Sequence, residues 1–282
     1  MTIALVTGAN QGLGRAIAAQ LAERLGPDST VYVSGRNADR VREAAAAIPG
    51  AVPLVLDVGS GESVAAAAAQ VRERHGGIDL VVSNAAARRS ADRSDADTVR
   101  EFVNTNNLGA TRMIRAFGPL LRSGGRFVIV ASAFGSLRYL DPSLHDHFDT
   151  GTMTLADVDR EMLAYAELVE AGKDKTAGWP DSINYPSKIG QVAAARVFAR
   201  TDAAARNLFI GAVCPGLVDT EASRPWFTDM AQAQSPGEAA VDIVKILVDP
   251  VNPAFIGQLV QHGVVIGWEA DSDAGPVQAK RR

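Results

Sequence analysis

The chain alternates short apolar runs with stretches of helical spacing almost from end to end. "TIALVTG" (2–8) is a run of branched and small apolar residues closed by glycine, the pattern of a strand buried on both faces. In 15–26, Ile17, Leu21 and Leu25 recur at helical intervals and Gly26 supplies a stop. The pairing repeats: strand 30–36 with helix 38–48, strand 51–57 with the alanine-rich helix 61–75, and strand 78–86 with a helix over about 95–121. Strand 125–132, a helix beginning near Pro186, strand 208–216, helix 237–249 and a last strand at 254–263 complete the series. This alternation predicts an α/β fold, a single-domain doubly wound parallel sheet over 1–269, followed by a loose tail at 270–282.

The rhythm breaks once, between strand 125–132 and the helix near Pro186. A segment over 140–180 carries an extra helix at 154–172, where Thr154 and Asp157 form a capping-box pattern. Leu155, Val158, Met162 and Tyr165 fall on one face, so the segment reads as an insertion packed on the domain.

Composition narrows the function classes. Hydrophobic residues make up 47% of the 282 positions and charged residues 21%, enough apolar material for one large core. A net charge of -4 argues against nucleic acid or an anionic membrane as partner. No apolar run reaches the length of a membrane span, and the first residues lead straight into a strand, which predicts a cytoplasmic protein. The one cysteine, Cys214, forms no disulfide framework, and His145 and His147, the only close histidine pair, read as loop residues and not as metal ligands.

"TGANQGLG" (7–14) lies between the first strand and the first helix, the context that gives a glycine pattern its meaning. Gly8, Gly12 and Gly14 permit a tight turn and close approach of a pyrophosphate, with Asn10, Gln11 and Leu13 between them and the helix N-terminus behind. The second strand ends in "SGR", with no acidic residue at its tip to hold an adenosine 2′-hydroxyl. Arg36 stands there instead, with Arg40 one helical turn on, which favours NADP over NAD.

With Asp57-Val58 after the third strand, "SNAA" at 83–86 and "CPG" at 214–216, these motifs resemble the short-chain dehydrogenase/reductase family, whose fold is of Rossmann type. The long insertion, "GWP" at 178–180 and "SKIG" at 187–190 resemble its monomeric carbonyl reductase branch, in which the insertion covers the surface other members use to dimerise. The resemblance implies that Asp57 and Val58 hold the adenine, Asn84 and Ala85 the ribose side, and Pro215, Gly216, Val218 and Thr220 the nicotinamide side. Gln11 stands where many NADP-dependent relatives carry a basic residue.

The resemblance also implies the chemistry: hydride transfer between a nicotinamide and a carbonyl or alcohol. A Tyr donates the proton and a Lys four residues later lowers its pKa and holds the ribose. A Ser polarises the substrate oxygen, and an Asn supports a relay water. Asn106 in "NNLG", Ser132 closing "VIVAS" and Lys188 match three of these parts. The fourth does not match: four residues before Lys188 stands Asn184, whose amide does not titrate. Tyr185 is one place late, about 100° around a helix from the required direction. Pro186 suits a first helical turn, where the backbone can deviate. Either Tyr185 is a slipped acid, or Asn184 has replaced it.

Three functions stay open. The first is an NADP-dependent oxidoreductase acting on a carbonyl or alcohol, with Tyr185, Tyr139 or a bound water as acid. The second is a non-redox enzyme on the same scaffold, a dehydratase, isomerase or cyclase, using Ser132, Asn184 and Lys188 to polarise an oxygen. The third is an NADP-binding sensor without turnover. The stretch 219–235, with Trp226, Phe227 and Met230, reads as a lid over the nicotinamide. Together with Leu137 and Tyr139 it predicts an apolar or aromatic substrate face, and the inserted helix 154–172 predicts a monomer.

Overall fold

The computed structural model describes residues 1–89, 92–227 and 229–269; the tail expected at 270–282 lies outside them. One sheet of eight strands runs in the order β3-β2-β1-β4-β5-β6-β7-β8. The strands are β1 (Ile3–Val6), β2 (Thr30–Gly35), β3 (Ala51–Val55), β4 (Ile78–Ser83), β5 (Leu121–Val130), β6 (Phe209–Val213), β7 (Leu259–Gln261) and β8 (Val264–Ile266). All neighbours pair in parallel except β7 with β8. The order reverses direction beside β1, where β1 pairs with β2 on one side and β4 on the other. That is the switch point at which open α/β sheets bind ligands.

Period-two alternation explains why β1 is apolar throughout. Ile3 and Leu5 enter one core layer, and Ala4 and Val6 enter the other. Helices α1 (Gly12–Leu25), α2 (Ala38–Ala46) and α9 (Pro236–Val248) lie on the Ala4 side, where Ile17, Leu21, Ala44 and Ile243 are buried. Helices α3 (Gly61–His75), α4 (Asp95–Val103), α5 (Gly109–Phe117), α6 (Leu155–Glu170) and α7 (Asn184–Phe198) contribute to the Ile3 side. A three-residue turn, α8 (Ala204–Arg206), precedes β6.

Two elements differ from expectation. The helix expected over 95–121 is broken by a π-helical turn at Asn104–Leu108 and ends at Phe117, because Gly118–Leu120 tightens to a 3-10 turn leading into β5. The strand expected over 254–263 is instead a 3-10 turn at Pro253–Phe255 and a hairpin of β7 and β8. His262 and Gly263, both at positive φ (49° and 73°), make the two-residue turn that matches strand twist.

The inserted helix α6 has the full capping box at Thr154 and Asp157. Val158, Met162 and Tyr165 are buried and Leu155 packs against the same core. Its polar side is fastened to the α4–α5 surface: Arg100 forks Glu170 at 2.7 and 2.6 Å, and Asp159 accepts from Thr111 Oγ1 at 2.6 Å and pairs with Arg115 at 2.7 Å.

Candidate active site

A cleft of 690 Å³ opens at the sheet's switch point. Its floor is the turn from β1 into α1, with Gly8, Asn10, Gln11, Gly12, Leu13 and Gly14 all in the lining. Gly8 has φ of 63°, and a β-carbon there would meet Ala85 Cα at 2.8 Å. A β-carbon at Gly14 would stand 2.5 Å from both Asn84 Nδ2 and Gly8 O. The turn therefore needs glycine for conformation at one position and for close packing at the other. Gln11 precedes helix α1 at the N-cap but gives it no side-chain cap, and the first turn has no acidic residue. By contrast α2, α3 and α4 are capped by Asn37, Ser60 and Ser94. The first N–H groups of α1 are left to the cleft, an arrangement that suits a phosphate-bearing ligand.

The tips of neighbouring strands close one end of the cleft. Arg36 and Arg40 are exposed in the lining, and Arg40 Nη2 donates to Gln11 Oε1. Asp57 and Val58 line the cleft after β3, and Asp57 Oδ1 accepts from Gly59 N at 2.9 Å. Asn84 and Ala85 line it after β4. The Asn84 amide donates to Thr7 O at 2.8 Å, and Thr7 Oγ1 accepts from Asn84 N and Ala85 N at 2.9 and 3.0 Å. Thr7 ties the two strand ends together, a role that becomes visible only once β1 and β4 are adjacent.

At the other end, Asn184 and Lys188 lie one turn apart at the start of α7 and both line the cleft. Lys188 Nζ donates to Gln191 Oε1 at 2.7 Å. Burial pushes its ammonium down to about 8, against a smaller opposing pull from Cys214. Burial pushes the Cys214 thiol up. Asn106 sits in the π-helical turn and is buried; its Oδ1 accepts from Ala87 N at 2.8 Å and its Nδ2 approaches Ser187 Oγ at 3.4 Å. A π-turn widens the helix locally, which carries this amide to the cleft.

Tyr185 faces elsewhere. Its ring stacks on Tyr139, with centroids 5.0 Å apart and planes at 23°, and meets Phe134 edge-on at 4.8 Å. Ser132 caps the 3-10 turn Ala133–Gly135 by accepting from Phe134 N at 3.3 Å, and this turn packs on α7. Neither Ser132 nor Tyr185 is among the described residues lining the cleft.

Of the residues expected to face substrate, only Trp226 lines the cleft. Leu137 is 3% exposed and packed in the core, the Tyr139 ring stacks on Tyr185, and Phe227 is not in the lining. Thr220 lines the cleft, whereas Pro215, Gly216 and Val218 do not. Val218 is buried and bridges to Gln234, pinning the base of the segment after β6. The sequence reading missed Arg88 and Arg89, which line the cleft directly after "SNAAA". Two arginines next to a ligand-binding strand end were the available signal.

The model of the family described as short chain dehydrogenase matches residues 2–142. Carbonyl reductase (NADPH) 3 of Rattus norvegicus is 30% identical over 94% of this chain and 98% of that protein. The chain belongs to the short chain dehydrogenase family. It is an enzyme of that family, and membership supports a redox role. Carbonyl reductase (NADPH) 1 of Bos taurus is likewise 30% identical, over 94% of this chain and 98% of that protein. Among solved structures, salutaridine reductase from Papaver somniferum superposes with a TM-score of 0.76 at 22% identity, covering 89% of this chain and 96% of that one, a likeness of fold. No helix among the described residues is long and apolar enough to cross a membrane.

Proposed function

We propose that the chain is an NADP(H)-dependent oxidoreductase acting on a carbonyl or alcohol group of a small molecule. The observation that carries this reading is the glycine turn and uncapped start of α1 facing a cleft with Arg36 and Arg40 at one end. The residues present fit the cofactor: a β-carbon at Gly8 or Gly14 would collide with Ala85, Asn84 or the Gly8 carbonyl and force the turn out of shape, and the uncapped N–H groups of α1 suit a pyrophosphate. Arg36 and Arg40 would hold the 2′-phosphate, Asp57 and Val58 the adenine, and Lys188 the nicotinamide ribose. When bound, NADP(H) supplies the hydride.

The chain's own residues do the rest. Asn184 offers an amide hydrogen bond to the substrate oxygen but no transferable proton. Lys188, with its ammonium pushed down to about 8, is the group at this end that holds or releases a proton near neutral pH. The apolar or aromatic character expected of the substrate now rests on Trp226. The fastening of α6 to α4 and α5 supports a monomer.

The test is absorbance at the reduced-nicotinamide band with a panel of ketones, quinones and keto acids. Consumption of NADPH in preference to NADH supports the reading. Cofactor binding without turnover would instead favour a dehydratase or isomerase, the reading that Asn184 in the acid's place keeps open.

A further inference from the structure

The reaction end of the cleft contains an arginine held as a fork along one edge and only weakly engaged along the other. Arg89 donates through Nε and Nη2 to the two oxygens of Asp95, each at 2.9 Å. Its guanidinium lies over the Trp226 ring, 4.8 Å from the centroid. Both members of the ion pair are largely enclosed, with side-chain exposures of 23% and 22%. Nη1 reaches Ser182 Oγ only at 3.5 Å, the outer limit of a hydrogen bond. Ser182 Oγ in turn stands 3.4 Å from the backbone N of Asn184. The weakly held edge of the guanidinium is thus beside the start of α7, where Asn184 and Lys188 line the same cleft.

We propose that Arg89 anchors a carboxylate on the substrate, making this enzyme selective for acidic carbonyl compounds such as keto acids. A guanidinium has two edges able to meet a carboxylate side by side. Asp95 occupies the Nε–Nη2 edge and leaves the Nη1–Nη2 edge. Asp95 and Trp226 fix the fork in plane and direction, so little side-chain freedom is lost when a ligand is met. The surrounding charges agree. Two of the nearby acids have cations of their own, Glu221 with Arg88 at 3.6 Å and Glu101 with Arg93 at 3.7 Å. Lys188 donates to the neutral Gln191, leaving its positive charge to the cleft. Both cations and the Asn184 amide are hydrogen-bond donors, and a carboxylate next to a carbonyl would use them together.

The proposal rests on the reductase reading for its substrate, but its test does not depend on turnover. The probes are phenylglyoxylate and its methyl ester, compared by calorimetry on NADP-saturated protein and by steady-state reduction with NADPH. The acid is expected to bind and react about tenfold to a hundredfold better than the ester. In Arg89→Gln that acid-to-ester ratio should fall to near one, and Arg89→Lys should recover part of it. Thermal melting and NADPH affinity of each variant report whether the fold and cofactor site survive. Equal handling of acid and ester by the natural protein overturns the anchor while leaving the reductase reading intact. A ratio unchanged in Arg89→Gln overturns it too, and shows that Arg89 only braces Asp95 and Trp226. Arg89-dependent binding of the acid without any reduction upholds the anchor and removes the reductase reading.

Discussion

The two ends of the cleft are built in opposite ways. The floor of the cleft is one continuous stretch, 8–14, whose chemistry comes largely from backbone N–H groups and from the absence of β-carbons, with the Arg36 and Arg40 side chains beside it. The reaction end is assembled from the β4–α4 loop, the π-helical turn, the start of α7 and the segment after β6, and its chemistry lies in side chains. Backbone chemistry tolerates drift at the non-glycine positions. Side-chain chemistry does not: the one-place difference between Asn184 and Tyr185 puts an amide in the cleft and a phenol ring against Tyr139 and Phe134.

The largest effect should come from reversing that displacement. Asn184→Tyr recreates the Tyr-x-x-x-Lys arrangement, and ketone reduction should rise by about 10²–10⁴, the contribution of a positioned general acid. Tyr185→Phe keeps the stacked ring and should change the rate little. A folded Tyr185→Phe enzyme that binds NADPH but has lost reduction would show that the tyrosine acts from its stacked position.

At the other end the sensitive atom is a missing one. Gly14→Ala should weaken NADPH binding by about tenfold to a hundredfold and lower the melting temperature, because a β-carbon 2.5 Å from Gly8 O forces the turn open. Calorimetric titration checks this, and native affinity in the variant would refute the close-packed turn. Arg36→Ala should cost less, about tenfold in NADPH affinity with NADH unaffected, since the guanidinium is exposed and screened. Equal losses for both cofactors would assign Arg36 a different role.

The reaction end also predicts a pH effect. The folded-state pKa of Lys188 is lowered, to about 8 from 10.5, so the unfolded chain binds more protons between those values. The stability of the cofactor-free protein should gain a contribution from this group as pH rises across that window, and that contribution should vanish in Lys188→Met. Denaturant titrations of both proteins at pH 7.5 and 10 compare the two slopes; parallel slopes would place the lysine in an ordinary solvated setting. The smallest effect concerns the insertion: Thr154→Ala should remove about 1 kcal/mol by breaking the capping box of α6 without touching NADPH affinity. Urea midpoints read it directly.

Most of the scaffold was legible from periodicity. The strand at 2–8 and helices 15–26 and 154–172 appear near those bounds because each buries a face whose spacing is written locally. The π-turn was not legible, since the three asparagines and the threonine of Asn104–Leu108 weaken a helix without saying that it widens, and Asn106 meets Ala87 and Ser187 only in the fold. The hairpin of β7 and β8 was hidden because His262 and Gly263 are an uncommon turn pair. The substrate face was hard to read for a related reason: apolarity marks the core as readily as a pocket, and Leu137 is buried while Tyr139 stacks on Tyr185.

The sequence by itself determined the order of strands and helices, the glycine turn, the missing acid at the strand-two tip and the absence of tyrosine four places before Lys188. Each of these is a property of neighbours along the chain. Only the tertiary structure decided that Asn184 lines the cleft while Tyr185 stacks on Tyr139, and that Arg89 is forked by Asp95 over Trp226 with its other edge held only by a long contact to Ser182. Those facts depend on the direction of side chains brought together from distant segments. Spacing along a chain gives a side chain's angle about its own helix, but not what stands opposite it.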